Sequence, residues 1–175
     1  MNEKNKYIVL INEIENNIKI IEKLDKELSI IIESLRNNIQ AVENRDKYAI
    51  GYLLHNIYNA FEDLFLKIAK VFENTIEEVG WHKSLLNRMA LDITPLRPKV
   101  ITHQSYSVLL DMFSFRHIFR HAYDYELDFK KMKNVYENWN ENKDKIFNDI
   151  KIFIKYIQKL IKKGVEKFKK STILK

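Results

Sequence analysis

The first forty residues place an isoleucine or leucine at nearly every third or fourth position. This spacing continues for about nine turns and predicts one long amphipathic helix over residues 5–43. Its apolar stripe is narrow enough to pair with a helix of the same subunit or of a second copy. The 175 residues include only three glycines and two prolines. Few turns can therefore form, and the other elements should also be few and long.

The composition favours one globular domain over residues 1–175. Hydrophobic residues make up 46% of the chain and aromatic residues 12%, which is enough for a buried core. The absence of cysteine excludes disulfides and thiolate metal sites. No apolar run approaches the roughly 20 residues that span a bilayer, and the N-terminus is unlike a signal peptide. We therefore expect an all-α, antiparallel bundle of about five helices in the cytoplasm, without membrane contact.

Turn-forming residues divide the remainder of the chain into shorter segments. The expected elements are a turn at 43–46, a helix over 47–72, a loop at 73–80, a short helix over 81–91, an extended crossover at 92–102 that holds both prolines, a helix over 105–126 and a final helix. Asp128 is the expected N-cap of that final helix. The Asn-rich stretch 138–144 favours a kink or break in it.

The net charge of +6 favours a polyanionic partner such as RNA. This support is weak, because the chain is rich in Lys, Asn and Ile together. Residues 162–175 form a lysine-rich tail, for which a solvated, fraying end is favoured over transient attraction of RNA.

The most unusual stretch is 116–125, which contains two arginines, two histidines and two tyrosines. A helical wheel separates it into two faces. The predicted core face carries Phe115, Ile118, Phe119 and Ala122. The opposite face carries Arg116, His117, Arg120, His121, Tyr123 and Asp124. This second face is either a polar patch on a packed helix or a site where imidazole, guanidinium and phenol groups act together.

These side chains suit the cleavage of RNA without a metal ion. Histidine titrates near neutrality and can move protons, while arginine stays charged and matches phosphate oxygens. A zinc site at His117 and His121 is disfavoured, because zinc needs three or four ligands and the neighbouring arginines repel a cation. The glycine patterns of serine hydrolases and of phosphate-binding loops are absent.

The residues Arg116, His121 and Tyr123 resemble the Arg-x4-His-x-Tyr motif of HEPN-domain ribonuclease toxins of the HepT type. Stretches at 54–62, 81–89 and 96–98 are similar to further HepT-like segments, in the order that the family shows. The resemblance covers residues from about 48 to about 160. The ordered set is more specific than the short motif alone.

The resemblance implies the toxin half of a type II toxin–antitoxin system, a homodimer that cleaves RNA, such as tRNA or mRNA, at a composite site without a cofactor. Arg116 would stabilise the scissile phosphate, and His121 would act in proton transfer or phosphate positioning. His117 follows the arginine, where the family has a polar residue, and would help to orient the site. Arg120 lies beyond the motif, and its supporting role is inferred from the helical wheel alone. Tyr123 would accept AMP from a partner nucleotidyltransferase antitoxin. The alternative is a non-catalytic HEPN-type subunit that presents a substrate or nucleic acid to a nucleotidyltransferase.

Outside the motif, Tyr58 and Glu62 are an i, i+4 pair on one face of the second helix. They could hold an arginine or histidine of the motif helix, because a buried cation needs a polar partner. Glu62 could equally be an ordinary surface or helix-pairing carboxylate. Arg97 could reach a ligand phosphate from the crossover, whereas His82 is more typical of a capping or surface histidine.

Overall fold

The computed structural model of the protein describes residues 3–35, 42–73, 81–121 and 126–173, with the backbone alone for residue 81 and for 165–173. Within these ranges the elements are α1 (Glu3–Leu35), α2 (Asn44–Glu73), α3 (Trp81–Met89), α4 (His103–Arg120) and α5 (Phe129–Ile173). The described residues form no strand beyond a single bridge between Ile93 and Arg97. The predicted all-α bundle of five helices is therefore confirmed. Of the helices described, none is both apolar enough and long enough to cross a membrane.

The helix α2 is the centre of the bundle and packs against all four other helices. Its buried residues occupy most of its circumference and include Ile50, Gly51, Leu53, Leu54, Ile57, Tyr58, Phe61, Glu62, Leu64, Phe65, Ile68 and Ala69. It begins at Asn44, three residues before the predicted start. The backbone N–H of Glu43 donates to the carboxylate of Asp46 at 3.0 Å, and the N–H of Asp46 donates to the carbonyl of Glu43 at 3.1 Å. These two bonds form the cap that starts the helix early.

The helix α1 lies along α2 through a narrow buried stripe, which matches the predicted one at Ile14, Ile21, Leu28 and Ile32. The stripe consists of Leu10, Ile14, Asn17, Ile21, Leu28 and Ile32. Asn17 is polar, and its amide donates to the carbonyl of Ala60 and to the carboxylate of Asp63, both at 2.9 Å. The helix is described to Leu35. The predicted C-terminal end lies partly in 36–41, outside the described residues, and residues 42 and 43 are not helical.

The connection between α3 and α4 is anchored by a buried arginine. The Arg97 side chain is fully buried and donates to Glu73 from Nε at 2.8 Å and from Nη2 at 2.6 Å. It also donates to the backbone carbonyls of Arg88 and Pro98, both at 3.1 Å. The expectation that Arg97 reaches a ligand phosphate is therefore wrong, because its donors serve the protein itself. The crossover is non-helical, as expected.

The helix α4 starts and ends earlier than predicted. Thr102 caps its N-terminus, and the buried carboxylate of Asp149 accepts hydrogen bonds from the Thr102 N–H and hydroxyl, both at 2.8 Å, and from the Ser105 hydroxyl at 2.6 Å. Its last helical residue is Arg120 rather than residue 126. The His121 N–H bonds to carbonyls three and two residues back, which tightens the final turn. Tyr123 lies outside the described residues.

The helix α5 is continuous through 138–144, so the predicted kink is wrong. Tertiary contacts offset the low helix propensity of this stretch. The buried indole of Trp139 donates to Asp25 at 2.7 Å, and the amide of Asn138 donates to Asp111 at 2.7 Å. The predicted cap at Asp128 is confirmed, because its carboxylate accepts from the N–H groups of Lys130 at 2.9 Å and Lys131 at 3.2 Å. The helical backbone continues through most of the lysine-rich segment.

A glycine allows α2 and α4 to approach closely beside the motif residues. A Cβ atom on Gly51 would lie 2.4 Å from Cε2 of Phe119, far inside van der Waals contact. Phe119 also stacks on Phe115 of the same helix, with ring centroids 5.9 Å apart. The last turn of α4 is therefore seated against the N-terminal third of α2. This contact brings the polar residues of the two helices together.

Candidate functional site

Arg116 lies on the interior side of α4 and is only 8% exposed. Its Nε donates to Oδ1 of Asn59 at 2.7 Å, and its Nη2 lies 3.2 Å from Oε2 of Glu62. The guanidinium carbon is 5.8 Å from the centre of the Tyr58 ring, within cation–π range. The helical wheel placed Arg116 on the face opposite the core, which is wrong. A buried cation is tolerated here because α2 supplies a carboxylate, an amide oxygen and an aromatic face.

Three side chains of α2 thus hold the guanidinium of Arg116 in place. A single stretch of α2 presents all three side chains towards α4, because Tyr58 and Asn59 are adjacent and Glu62 follows three positions later. Burial, reinforced by the charge of Glu62, raises the pKa of the Tyr58 phenol, which keeps its ring neutral. The structure therefore brings together Tyr58, Glu62 and Arg116, three of the side chains that the sequence analysis selected.

His82 extends this cluster onto α3. Its Nδ1 lies 2.8 Å from Oε1 of Glu62, and its side chain is 33% exposed. The Glu62 carboxylate therefore lies between a guanidinium on one oxygen and an imidazole on the other. The sequence analysis treated His82 as a capping or surface histidine, which overlooked this contact. Only the packing of α3 on α2 reveals it, because 20 residues separate the two side chains in the sequence.

The other polar motif residues face outwards. His117, Arg120 and His121 are exposed, and the two imidazole rings lie 5.1 Å apart at a steep angle. Ile118 follows His117 in the chain and is 59% exposed, so its predicted place in the core is wrong. The predicted polar face is therefore divided, with Arg116 on the α2 side of α4 and the two histidines on its outer side. No group of three potential metal ligands occurs among the described residues.

His55 is a further functional candidate that the sequence analysis missed. It lies one helical turn before Asn59, and its ring centroid is 5.6 Å from that of Phe119. Its Nδ1 is buried and has no hydrogen-bond partner among the described residues. Burial lowers the pKa of His55, and the charges of Arg116 and then Arg120 lower it further. Protonation would place an N–H without an acceptor near two cations, so the charged form of the imidazole is disfavoured.

Taken together, these residues form a cationic site with proton-transfer groups at its edge. Asn59 and Glu62 occupy two of the five guanidinium N–H groups of Arg116, which fixes the plane of the other donors. Arg120 adds an exposed positive charge near His55. Such an arrangement can bind a phosphate group, and imidazoles can transfer protons to or from it.

The neutral state of His55 gives the protein a measurable pH dependence. Because its folded pKa is below the unfolded value of about 6.5, the unfolded state binds the proton more strongly. The contribution of His55 to stability is therefore complete above pH 6.5 and decreases as the pH falls from 6.5 to the folded pKa. We expect urea denaturation to show a smaller loss of unfolding free energy between pH 7.5 and pH 5 for His55→Gln than for the wild type. Equal losses would contradict this account.

The family comparison agrees with this arrangement of helices. The family model described as HepT-like protein matches residues 49–157, which is more than half of the chain and includes α3, α4 and most of α2. Comparison with curated proteins and with solved structures gave no match for this chain. The matched segment contains Tyr58, Glu62, His82, Arg116 and His121. The chain therefore belongs to the HepT-like family of HEPN-domain proteins.

Proposed function

We propose that this protein is a metal-independent endoribonuclease, the toxin of a type II toxin–antitoxin pair, and that it acts in the cytoplasm as a homodimer. The observation that carries the proposal is the guanidinium of Arg116 on α4, which Asn59, Glu62 and Tyr58 of α2 hold in place. His117 lies on the same helix as Arg116, and His121 is the C-cap residue of that helix. An arginine needed only for helix packing would not require exposed imidazoles within one to five residues. Membership of the HepT-like family supports the same assignment.

In the proposed reaction, the 2′-hydroxyl of the RNA attacks the adjacent phosphorus, and the bond from phosphorus to the 5′-oxygen breaks. The products are a 2′,3′-cyclic phosphate and a free 5′-hydroxyl, so one proton leaves the 2′-oxygen and one reaches the 5′-oxygen. His121 carries out proton transfer or positions the phosphate, and His117 supports it. Arg116 stabilises the negative charge that grows on the phosphorane, with Arg120 as a second cation.

Two copies of the chain complete the proposed site. Within one subunit, Arg116 lies towards α2 whereas His117 and His121 lie on the outer side of α4. Ile118, next to His117 in the chain, is exposed and would supply an apolar contact for a second α4. A two-fold axis along this face would bring the imidazoles of one copy towards the cationic edge of the other. The charge of +6 favours an RNA ligand in such a groove.

The proposed control of the toxin is covalent. A partner nucleotidyltransferase antitoxin transfers AMP to the hydroxyl of Tyr123, and pyrophosphate leaves if ATP is the donor. The bulky nucleotide and its phosphate charge would then occupy the space that the RNA needs, close to Arg116 in sequence. Tyr123 enters this proposal through the Arg-x4-His-x-Tyr motif alone. We expect the gene for this nucleotidyltransferase to lie next to the gene for this chain, so the neighbouring reading frame can be inspected for it.

The proposal predicts that the purified protein cleaves RNA in the presence of EDTA. Arg116→Ala removes the cation that stabilises the phosphorane, and His121→Ala removes a proton-transfer group, so each should lower the cleavage rate by about 100-fold or more. Both variants should also relieve growth arrest when the protein is expressed. The cleavage of a labelled RNA measures the rate, and circular dichroism verifies that each variant is folded.

Two exposed residues provide matched controls. His103→Ala changes an exposed histidine at the other end of α4, and Arg45→Ala changes an exposed arginine near the start of α2. Both should cleave RNA at the wild-type rate. If the wild type, Arg116→Ala and His121→Ala behave alike, the protein is not a nuclease of this kind, and the remaining role is the non-catalytic HEPN-type binding subunit.

The contact between Glu62 and Arg116 can be tested by a double-mutant cycle. If Glu62 acts by orienting Arg116, Glu62→Gln should lower cleavage by about 10-fold in the wild type and have almost no effect when Arg116 is already alanine. Glutamine keeps the volume and one acceptor oxygen, and circular dichroism verifies that the variant is folded. Independent, multiplicative losses in the two backgrounds would show that Glu62 does not act through Arg116.

A further inference from the structure

The exposed aromatic side chains in the part of the chain that the structure describes are concentrated on one helix. Among the Phe, Tyr and Trp side chains whose positions the structure describes, only Tyr48 at 57% and Tyr52 at 61% are exposed. The others lie in or against the core. The two tyrosines are separated by four residues on α2, so their rings lie on the same face, one turn apart. Both tyrosines are more exposed than buried, so packing of the bundle does not account for two large rings at these positions.

This tyrosine pair continues the row of residues that holds Arg116. Tyr48, Tyr52, His55 and Asn59 follow steps of four, three and four residues along α2, which is one stripe of the helix. Asn59 is bonded to Arg116. At a rise of about 1.5 Å per residue, Tyr52 lies about 10 Å and Tyr48 about 16 Å from Asn59 along the axis. The stripe therefore leads directly away from the guanidinium.

The surroundings of the stripe formed by Tyr48, Tyr52, His55 and Asn59 are suited to a single-stranded nucleic acid, which carries both phosphate charges and aromatic bases. Arg120 is exposed on the adjoining helix and acts electrostatically on His55. Gly51 lies between the two tyrosines in sequence and holds α4 against α2 through Phe119, so the exposed cation and the rings share one edge. The nearby Lys47 is paired with Glu126 at 3.1 Å, which neutralises that carboxylate. Positive charge beside exposed aromatic rings is the combination that binds single-stranded nucleic acids.

We propose that Tyr48 and Tyr52 form a stacking site for unpaired RNA bases that flank the phosphate held at Arg116. This inference rests on the proposed function and adds a part of the binding surface that the motif does not contain. The distances correspond to about three and five nucleotides from that phosphate at a stacked spacing of about 3.4 Å, and to fewer in an extended strand. Duplex bases are stacked on each other already, so the site selects single-stranded RNA.

The second candidate for this surface is another protein chain, because exposed tyrosines also occur at interfaces. The charges favour RNA. The stripe ends at Arg116 and Arg120, and continuity with a cationic site is expected of a strand that passes through both. A subunit interface would instead be expected to use exposed aliphatic residues such as Ile118 of α4.

The test measures binding separately from cleavage. The probe is a fluorescent, fully 2′-O-methylated single-stranded oligonucleotide, which cannot be cut because its 2′-oxygen is blocked. Tyr52→Leu should bind this probe about 10-fold more weakly than the wild type, and Tyr48→Leu should show a similar or smaller loss. Tyr52→Phe keeps the aromatic ring, so its affinity should stay within about 2-fold of the wild-type value. Ile30→Ala, an equally exposed residue of α1, should have no effect. Binding to the corresponding duplex should be unchanged.

The salt dependence distinguishes stacking from charge. Because a tyrosine ring neutralises no phosphate, Tyr52→Leu should weaken binding without changing the slope of affinity against salt concentration, whereas Arg120→Gln should reduce that slope. Light scattering then tests the alternative surface. If Tyr52→Leu or Tyr48→Leu changes the oligomeric state while RNA affinity per subunit is unaltered, the tyrosines belong to a protein interface and the proposal is overturned.

Failure of the stacking site and failure of the nuclease are separable. If the wild type cuts RNA and both leucine variants bind and cut as it does, the stacking site is wrong and the nuclease remains. If the wild type binds the methylated strand through Tyr52 but leaves unmodified RNA intact, the nuclease is wrong and the stacking site remains.

Discussion

The buried contact between Arg116 on α4 and Glu62 on α2 is the interaction on which the site depends. Breaking such a pair by removing one partner leaves a buried charge without compensation, at a cost of about 3–5 kcal/mol in a fully buried setting. The pair therefore fixes how α4 lies on α2. Asn59 and Tyr58 orient the same guanidinium from the other directions. A cation held in this way is already positioned before a ligand arrives. Its side-chain conformational entropy has been lost on folding, so little more is lost when a ligand binds.

The rest of the bundle keeps these two helices in place. The central α2 is buried on most of its circumference, so it offers a rigid support for polar residues at one edge. Arg97 anchors the connection that leads into α4 to the end of α2, through Glu73. Asp149 of α5 secures the first turn of α4. At the far end of α4, Gly51 and Phe119 set the distance between the two helices. Both ends of the motif helix are thus fixed by contacts outside the motif.

The sequence predicted the architecture well, because hydrophobic spacing and the scarcity of glycine and proline act locally. The five helices and the cap at Asp128 follow from such local signals. The errors have a common cause in contacts between distant residues. A kink was expected at 138–144, but Trp139 and Asn138 bond to other helices there. Arg97 was expected at a ligand, but Glu73 binds it.

The candidate site was predicted in part for the same reason. The motif identified Arg116 and His121, and the helical wheel added His117 and Arg120. A wheel gives only angular positions and does not show which charged side chain a neighbouring helix binds. It therefore placed Arg116 outside and Ile118 inside, whereas the polar groups of α2 draw the guanidinium in and Ile118 is left exposed. His55 and His82 lie in stretches that resemble HepT-like segments, but the sequence did not single out either as a site residue. Each gains its significance from burial or from a neighbour on another helix.

The central claim is that two copies of the chain meet through the outer face of α4, so that their arginines and imidazoles enclose one phosphodiester. The most direct measurement is disulfide cross-linking, because the natural chain has no cysteine. An Ile118→Cys variant should form a covalent dimer on mild oxidation and keep its RNA cleavage, whereas Ile30→Cys, equally exposed on α1, should remain uncrosslinked. A protein that light scattering shows to be monomeric, with no more cross-linking at residue 118 than at residue 30, would contradict the account.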